Sequence, residues 1–122
     1  MSRPIPMLPL IYIAGPYRAK TREGVALNIE SARATAVEVA RRGWFPAIPH
    51  TMTGGLELVL PELDDAYWLE GTMELMRRCD AVVLCPGWER SRGTAAEIAE
   101  AERLGIPIYK TTADIPNGRG SL

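Results

Sequence analysis

The sequence contains few of the residues that form metal sites or disulfide frameworks. Its 122 residues include two cysteines and one histidine, and no CxxC pair or Cys/His cluster suggests a metal site. Cys79 and Cys85 lie in or beside an apolar run and are expected to be buried free thiols. No apolar run reaches the ~20 residues of a membrane span, and the N-terminus has no stretch of signal-peptide length. These absences predict a cytoplasmic protein without a membrane partner, a metal or an organic cofactor.

A surplus of charge of either sign is also missing. The chain has 14 Lys and Arg against 15 Asp and Glu, for a formal net charge of −1. A general nucleic-acid binder needs a basic surplus to neutralise phosphates, so no nucleic-acid polymer is expected as a partner. A local cationic pocket for a small molecule remains compatible with this balance. The length suits a single domain over 1–122, with loose ends at 1–7 and 112–122.

Short apolar runs alternate with helical patterns along the whole chain. Strands are predicted at 8–14, 44–48, 80–85 and 106–109, and helices at 25–42, 64–78 and 94–104. Residues 51–63 are predicted to be a loop, whose length is more typical of a functional segment than of a plain connection. The alternation predicts a single-domain α/β fold, Rossmann-like or flavodoxin-like, with a parallel sheet of 4–5 strands and helices on both faces.

In such sheets, ligands bind outside the carboxyl ends of the strands. The loop after the first strand holds Gly15, Pro16, Tyr17 and Arg18. Gly15 allows close backbone approach, and Arg18 offers a planar fork of donors that suits a phosphate. The alternative for Arg18 is plain solvated charge.

The loop after the third strand leads into a helix. Ser91, Gly93 and Thr94 lie at the helix start, where exposed amides and the helix dipole favour an anion. Glu97 follows six residues after Ser91 and is placed to face the same cleft. In the alternative interpretation, Thr94 caps the helix and Glu97 closes a capping box.

Three further residues have a structural and a functional interpretation. Tyr12, in the first strand, is either a core residue with a satisfied hydroxyl or part of the site. His50 follows the second strand and points to the same sheet edge, although a lone histidine is more often structural. Trp88 can stack on a base, and a lid or an interface residue is equally compatible with its position.

Two segments carry a resemblance to a known family. YIAGPYR resembles the first-strand motif, and CDAVVLCPGWERSRGTAAEIAEA the third strand and catalytic helix, of the nucleoside 2-deoxyribosyltransferase-like superfamily. The likeness spans Leu10 to about Tyr109, and its wording is especially similar to an uncharacterised bacterial and phage branch. The resemblance implies that Glu97 attacks the anomeric carbon of a sugar and that Tyr12 positions the carboxylate, as in retaining glycosidases.

The resemblance also implies a substrate class. Relatives that hydrolyse nucleotides carry serine six residues before the glutamate and an arginine after the first-strand glycine, as Ser91 and Arg18 stand here. Transferases that act on free nucleosides carry aspartate instead of the serine. The expected activity is therefore N-glycosidic cleavage of a (deoxy)nucleoside 5′-monophosphate. The alternatives are a base-exchanging deoxyribosyltransferase and a catalytically weak nucleotide-binding or sensing module. A phosphoribohydrolase ranks last, because its PGGxGT loop is absent.

One position departs from the family pattern. Many relatives carry an aspartate eight residues before Asp80, where it helps to protonate the leaving base or contacts the sugar, and this chain has Thr72. Four nearby carboxylates could substitute out of register: Asp64, Asp65, Glu70 and Glu74. Relatives also form dimers or larger assemblies, so a homo-oligomer is expected, with Trp68, Leu69 and the tail around Asn117 and Ser121 as candidate contacts.

Overall fold

Four parallel strands form one sheet in the computed structural model, which describes residues 8–118. The strands are β1 (Leu10–Ala14), β2 (Phe45–Ala47), β3 (Ala81–Leu84) and β4 (Ile108–Tyr109), in the order β2-β1-β3-β4. In the register of the central strand β1, Ile11 lies opposite Pro46 on one side and Ala81 on the other. The predicted α/β class with a parallel sheet is confirmed, with four strands.

Helices cover both faces of this sheet. They are α1 (Arg22–Arg41), α2 (Pro49–Met52), α3 (Leu56–Val59), α4 (Asp65–Arg77) and α5 (Arg92–Leu104), with single 3-10 turns at Trp88–Arg90 and Thr112–Asp114. Side chains of β1 alternate between two core clusters: Ile11 and Ile13 pack with residues of α1, whereas Tyr12 and Ala14 pack with residues of α4 and α5. Because side chains of a strand point alternately to its two faces, β1 contributes to both layers.

The helix starts follow from capping side chains. Thr21 accepts a hydrogen bond from the Gly24 amide, Asp64 from the Tyr67 amide and Ser91 from the Thr94 amide, and each residue precedes a helix with extended backbone. At the other end, Gly105 terminates α5 with φ +73°, a left-handed conformation that favours glycine. Two helices begin earlier than predicted, α1 by three residues and α5 by two, because these polar caps stand ahead of the apolar pattern.

The segment predicted as a loop at 51–63 contains regular structure. The one-turn helix α2 reaches into its start, and α3 follows after a turn at Gly54 and Gly55. A Cβ at Gly54 would lie 2.3 Å from the His50 carbonyl oxygen, so the turn closes too tightly for any other residue. Helices of four residues show no readable hydrophobic period, which explains the wrong prediction.

The expectation of a loose end after Thr111 is wrong for residues 112–118. Ile115 is buried in the α1-side core cluster. The Trp44 indole Nε1 donates to the Pro116 carbonyl at 2.8 Å, and the Gly118 amide donates to the Arg42 carbonyl at 2.7 Å. The proline- and glycine-rich composition gave no sign of the buried Ile115 or of these two hydrogen bonds. The remaining predicted loose ends, 1–7 and 119–122, lie outside the described residues.

Candidate active site

A cleft of about 450 Å³ lies at the carboxyl edge of the sheet, between the loops that follow β1 and β3. Between these two strands the connections diverge, because α1 covers one face on its way to β2 while α5 covers the other on its way to β4. A topological switch point of this kind is where open α/β sheets bind ligands. The volume suits a small molecule of nucleotide size.

Most of the residues singled out in the sequence meet in this cleft. Its lining includes Tyr12, Gly15, Pro16, Tyr17, Arg18, His50, Ser91, Gly93, Thr94 and Glu97. Trp88 is the exception, because its indole is half-buried against the core cluster on the α4 and α5 face and lines no part of the cleft. Of the three interpretations of Trp88, base stacking is therefore not supported by its position in the structure.

Glu97 forms the chemical centre of the cleft. The side chain is 6% exposed, and one of its oxygens, Oε2, accepts a short hydrogen bond from the Tyr12 hydroxyl. Burial raises the pKa of Glu97 to about 7, against the opposing effect of the Tyr12 hydrogen bond. Burial also raises the pKa of Tyr12 well above its usual value, and the adjacent Glu97 charge raises it further. A carboxyl group that titrates near neutrality in a cleft is suited to nucleophilic or proton-transfer chemistry.

The N-terminus of α5 forms one side of the cleft. Ser91 is its N-cap, with Oγ accepting from the Thr94 amide at 3.1 Å and from the Thr94 hydroxyl at 2.9 Å. Thr94 is thus held in place by the cap, and the capping box with Thr94 as cap and Glu97 as its partner is wrong. Amides of a first helical turn lack intrahelical acceptors, and the dipole adds positive potential there. With Arg90 and Arg92 also in the lining, this end of the cleft has the positive potential that favours an anion.

Arg18 lines the cleft with an acidic partner. One of its guanidinium nitrogens lies 2.6 Å from Asp65 Oδ1, and both side chains are more than half exposed. An anion that binds to Arg18 therefore has to compete with Asp65. An anion can therefore contact Arg90 or Arg92 without displacing this ion pair.

His50 holds the loop after β1 in place. The ring is 4% exposed, and Nε2 lies 3.1 Å from the carbonyl oxygens of both Gly15 and Pro16. Two carbonyl acceptors assign the proton to Nε2, and burial lowers the pKa of the ring, so the neutral form is favoured. His50 therefore shapes the cleft that it lines, as the structural interpretation predicts.

Gly15 has a packing reason for its size. A Cβ at Gly15 would lie 2.6 Å from the Cβ of Cys85, so only glycine lets the loops after β1 and β3 approach each other here. Cys85 and Cys79 are buried free thiols, as predicted, and burial raises the pKa of each to about 11.

Thr72 lines the cleft beside Tyr12 and lowers the pKa of its phenol, opposing the larger effect of burial. Its hydroxyl donates to the Leu69 carbonyl at 3.1 Å. Of the carboxylates considered as substitutes at this position, Asp65 reaches the cleft. Asp64 caps α4, and Glu74 pairs with Arg77 and Arg78 at the end of that helix. The structure thus places a hydroxyl, and an aspartate paired with Arg18, where a proton donor was expected.

Several lining residues were not among the sequence-predicted site residues. They include Thr53, Glu57, Trp68, Arg90 and Arg92. Arg90 and Arg92 flank Ser91 within the segment already singled out, so their position next to the helix start was the available signal. Glu57 and Trp68 come from α3 and α4, and no pattern in the sequence shows that these helices fold back over the cleft.

The described part of the chain has no group of three His, Cys, Asp or Glu side chains placed to hold a metal ion. No helix within 8–118 is long and apolar enough to cross a membrane.

Trp68 and Leu69, expected at an oligomer contact, both line the cleft, and Leu69 is 41% exposed. Asn117 is exposed, and Ser121 lies outside the described residues. The homo-oligomer stays a prediction.

Comparison with known proteins places the chain in one domain family. The sequence matches none of the curated proteins with which it was compared. A family described as "Domain of unknown function (DUF7768)" matches residues 9–111, which include all four strands and every lining residue of the cleft. The chain belongs to the DUF7768 family.

Proposed function

We propose that this protein is an N-glycosidase that cleaves the base–sugar bond of a (deoxy)nucleoside 5′-monophosphate, with Glu97 as nucleophile. The observation that carries the proposal is the buried Glu97 carboxyl, hydrogen-bonded to Tyr12 and located next to the anion site at the start of α5. A phosphate at Ser91 and the α5 amides places the attached sugar within the same cleft. The family resemblance of the Ser91 and Glu97 segment supports the same assignment.

The reaction proceeds in two displacements. The Glu97 carboxylate attacks the anomeric carbon while the bond to the base nitrogen breaks, and the bonding electron pair leaves with the base, which takes a proton from water. Water then attacks the same carbon of the glycosyl-enzyme ester and gives up one proton to the solvent, which releases the sugar phosphate and returns the carboxylate. If a second base replaces water in this step, the same site is a transferase.

This chemistry requires ionised Glu97. Because burial raises its pKa to about 7, base release should increase as the pH rises through about 7. The Tyr12 hydroxyl stabilises the ionised form by donating its hydrogen bond and holds the oxygen in one orientation. Tyr12 is accordingly proposed as a positioning residue.

A nucleotide-binding module without turnover is the second candidate, and two features of the cleft favour it. Thr72 supplies no carboxyl beside Tyr12, and Asp65 is paired with Arg18 at 2.6 Å. General acid assistance to a leaving group is worth roughly 10²–10⁴-fold in rate. A site without that assistance binds its ligand and turns it over slowly or not at all.

The test is release of free base. The purified chain is incubated with the common ribo- and deoxyribonucleoside 5′-monophosphates and the matching nucleosides, and bases are resolved by chromatography. Glu97→Gln, which keeps an oxygen acceptor for Tyr12, should lose release by at least about a hundredfold, since a neutral amide is a poor nucleophile. Glu102→Gln makes the same chemical change on the exposed side of α5 and serves as the matched control.

Each outcome separates the candidates. Release from a monophosphate that Glu97→Gln loses and Glu102→Gln keeps supports the hydrolase. Release only from nucleosides contradicts the phosphate assignment of Ser91. Thermal stabilisation by a nucleotide without base release supports the binding module instead.

A further inference from the structure

Three buried side-chain polar atoms have no hydrogen-bond partner within the described part of the protein, and all three belong to residues that line the cleft. They are His50 Nδ1, Glu57 Oε1 and Trp68 Nε1. Leaving such an atom unpaired costs about 1–3 kcal/mol, and native structures contain few of them. Their concentration at one cleft therefore points to a ligand that supplies the missing partners.

The chemistry of these atoms defines a hydrogen-bonding pattern. Because Nε2 of His50 faces two carbonyl oxygens, the proton is on Nε2 and Nδ1 is an acceptor. Glu57 Oε1 is also an acceptor, whereas the indole Nε1 of Trp68 is a donor. The matching ligand edge offers two N–H donors and one acceptor.

Contacts through Tyr17 place two of the three residues together. The rings of Tyr17 and His50 meet edge to face with centroids 6.1 Å apart. The Tyr17 hydroxyl accepts from the Gly55 amide at 3.0 Å, and its pKa is raised by burial and by the nearby Glu57 carboxylate. Glu57 and His50 therefore flank the same tyrosine.

Trp68 joins this end of the cleft through shared neighbours. Together with Pro49, Thr53 and Thr72 it lines both the cleft and an adjoining, mostly apolar pocket of about 180 Å³. The three unpartnered atoms thus come from α2, α3 and α4, whereas the anion site is at α5. A molecule with a phosphate at α5 extends a different group towards them.

We propose that His50, Glu57 and Trp68 recognise the base of the bound nucleotide, and that they select a base that carries an exocyclic amino group. This inference rests on the nucleotide site of the proposed function and specifies its substrate class. Adenine and cytosine present amino N–H donors next to a ring-nitrogen acceptor, which matches two acceptors and one donor. Uracil and hypoxanthine replace the amino group by a carbonyl, whose lone pairs would face the acceptor Glu57.

The experiment measures binding without turnover. Calorimetric titration of the Glu97→Gln chain compares AMP with IMP and CMP with UMP, two pairs that differ by the replacement of an amino group with a carbonyl. In whichever pair binds, the amino member should bind at least about tenfold tighter, because a site built to accept N–H donors rejects an analogue that lacks them. Adding Glu57→Gln, which supplies an amide donor as well as an acceptor, should reduce that preference to less than about threefold.

Glu62→Gln is the matched control, because Glu62 is exposed and lies outside the cleft lining. This variant should leave the preference unchanged. If Glu57→Gln does not fold, Trp68→Phe decides instead, since it removes the donor, keeps an aromatic ring and should weaken binding of both members.

Equal affinity within both pairs, or a preference that Glu57→Gln does not change, overturns the inference. So does unaltered binding in Trp68→Phe. Failure of every monophosphate to bind overturns this inference and the proposed function together. A clear amino preference in a wild-type chain that releases no base overturns the hydrolase alone and leaves the base recognition in place.

Discussion

At the scale of the residue, the chemistry of the cleft centres on the environment of one carboxyl group. Glu97 is the sixth residue of α5, and its side chain accepts a hydrogen bond from Tyr12 of β1. Desolvation raises the pKa of Glu97 to about 7, and the Tyr12 hydrogen bond limits that rise. The same burial that suits the group to the proposed reaction therefore destabilises the fold whenever the group is ionised.

This linkage predicts a pH-dependent stability difference between the wild-type chain and Glu97→Gln. A carboxyl whose pKa is raised in the folded state contributes stability below its unfolded pKa, near 4.5, and this contribution is lost as the pH rises through about 7. At about 1.4 kcal/mol per pKa unit, the loss reaches at most roughly 3 kcal/mol. Glu97→Gln cannot ionise at this position. The free energy of unfolding of the variant should therefore increase relative to that of the wild type between pH 5 and pH 8.

Denaturant unfolding of both proteins at pH 5 and pH 8 measures this gain. Taking the difference between the two proteins removes the contributions of other titrating groups, such as His50, that both share. Glu102→Gln should show a difference that does not change with pH. A Glu97→Gln difference equal at both pH values would mean that the carboxyl is solvated in the folded protein.

At the scale of the element, the start of α5 combines a structural role with the binding role proposed for it. Ser91 caps the helix through the Thr94 amide, and it lies between Arg90 and Arg92 in the cleft wall. Aspartate caps a helix as well as serine does, so Ser91→Asp keeps the fold and changes the charge at the anion site. We expect monophosphates to bind at least about tenfold weaker to this variant, a loss of roughly 1.4 kcal/mol or more, while nucleosides bind unchanged.

Affinities of a monophosphate and its nucleoside for the wild type, Ser91→Asp and Ser91→Asn test this expectation. Asparagine caps without charge and should preserve the phosphate preference. Equal losses for the nucleoside and the monophosphate would show that Ser91 contacts the sugar or base instead of the phosphate.

The elements also show what the sequence could predict. The strands β1 and β3 were recognisable as short continuous apolar runs, and the long helix α1 by apolar residues at helical spacing; α5 was recognised as well. Those same elements carry Tyr12, Ser91 and Glu97, so their meeting at one sheet edge followed from topology. The one-turn helices α2 and α3 are too short for a period, and the contribution of Glu57 depends on a fold-back that only tertiary packing determines.

At the scale of the whole molecule, the segment after β4 packs into the core on the α1 side of the sheet. Ile115 is 3% exposed and belongs to the core cluster with Ile11, Ile13 and Val39. The hydrogen bonds from the Trp44 indole to the Pro116 carbonyl and from the Gly118 amide to the Arg42 carbonyl connect this segment to the end of α1. Composition suggested a free tail, yet this segment is a structural part of the domain.

The consequence is that Ile115→Ala should destabilise the entire fold. Truncation of a buried isoleucine to alanine costs about 2–5 kcal/mol through lost transfer energy and the cavity left behind. Leu27→Ala removes the same number of carbons from a side chain that is 70% exposed on α1, and it should cost far less. Denaturant unfolding distinguishes the two, and equal small losses would mean that the 112–118 segment detaches in solution. Because Ile115 lies on the sheet face opposite Glu97, nucleotide binding by Ile115→Ala should be unchanged under conditions where the variant remains folded.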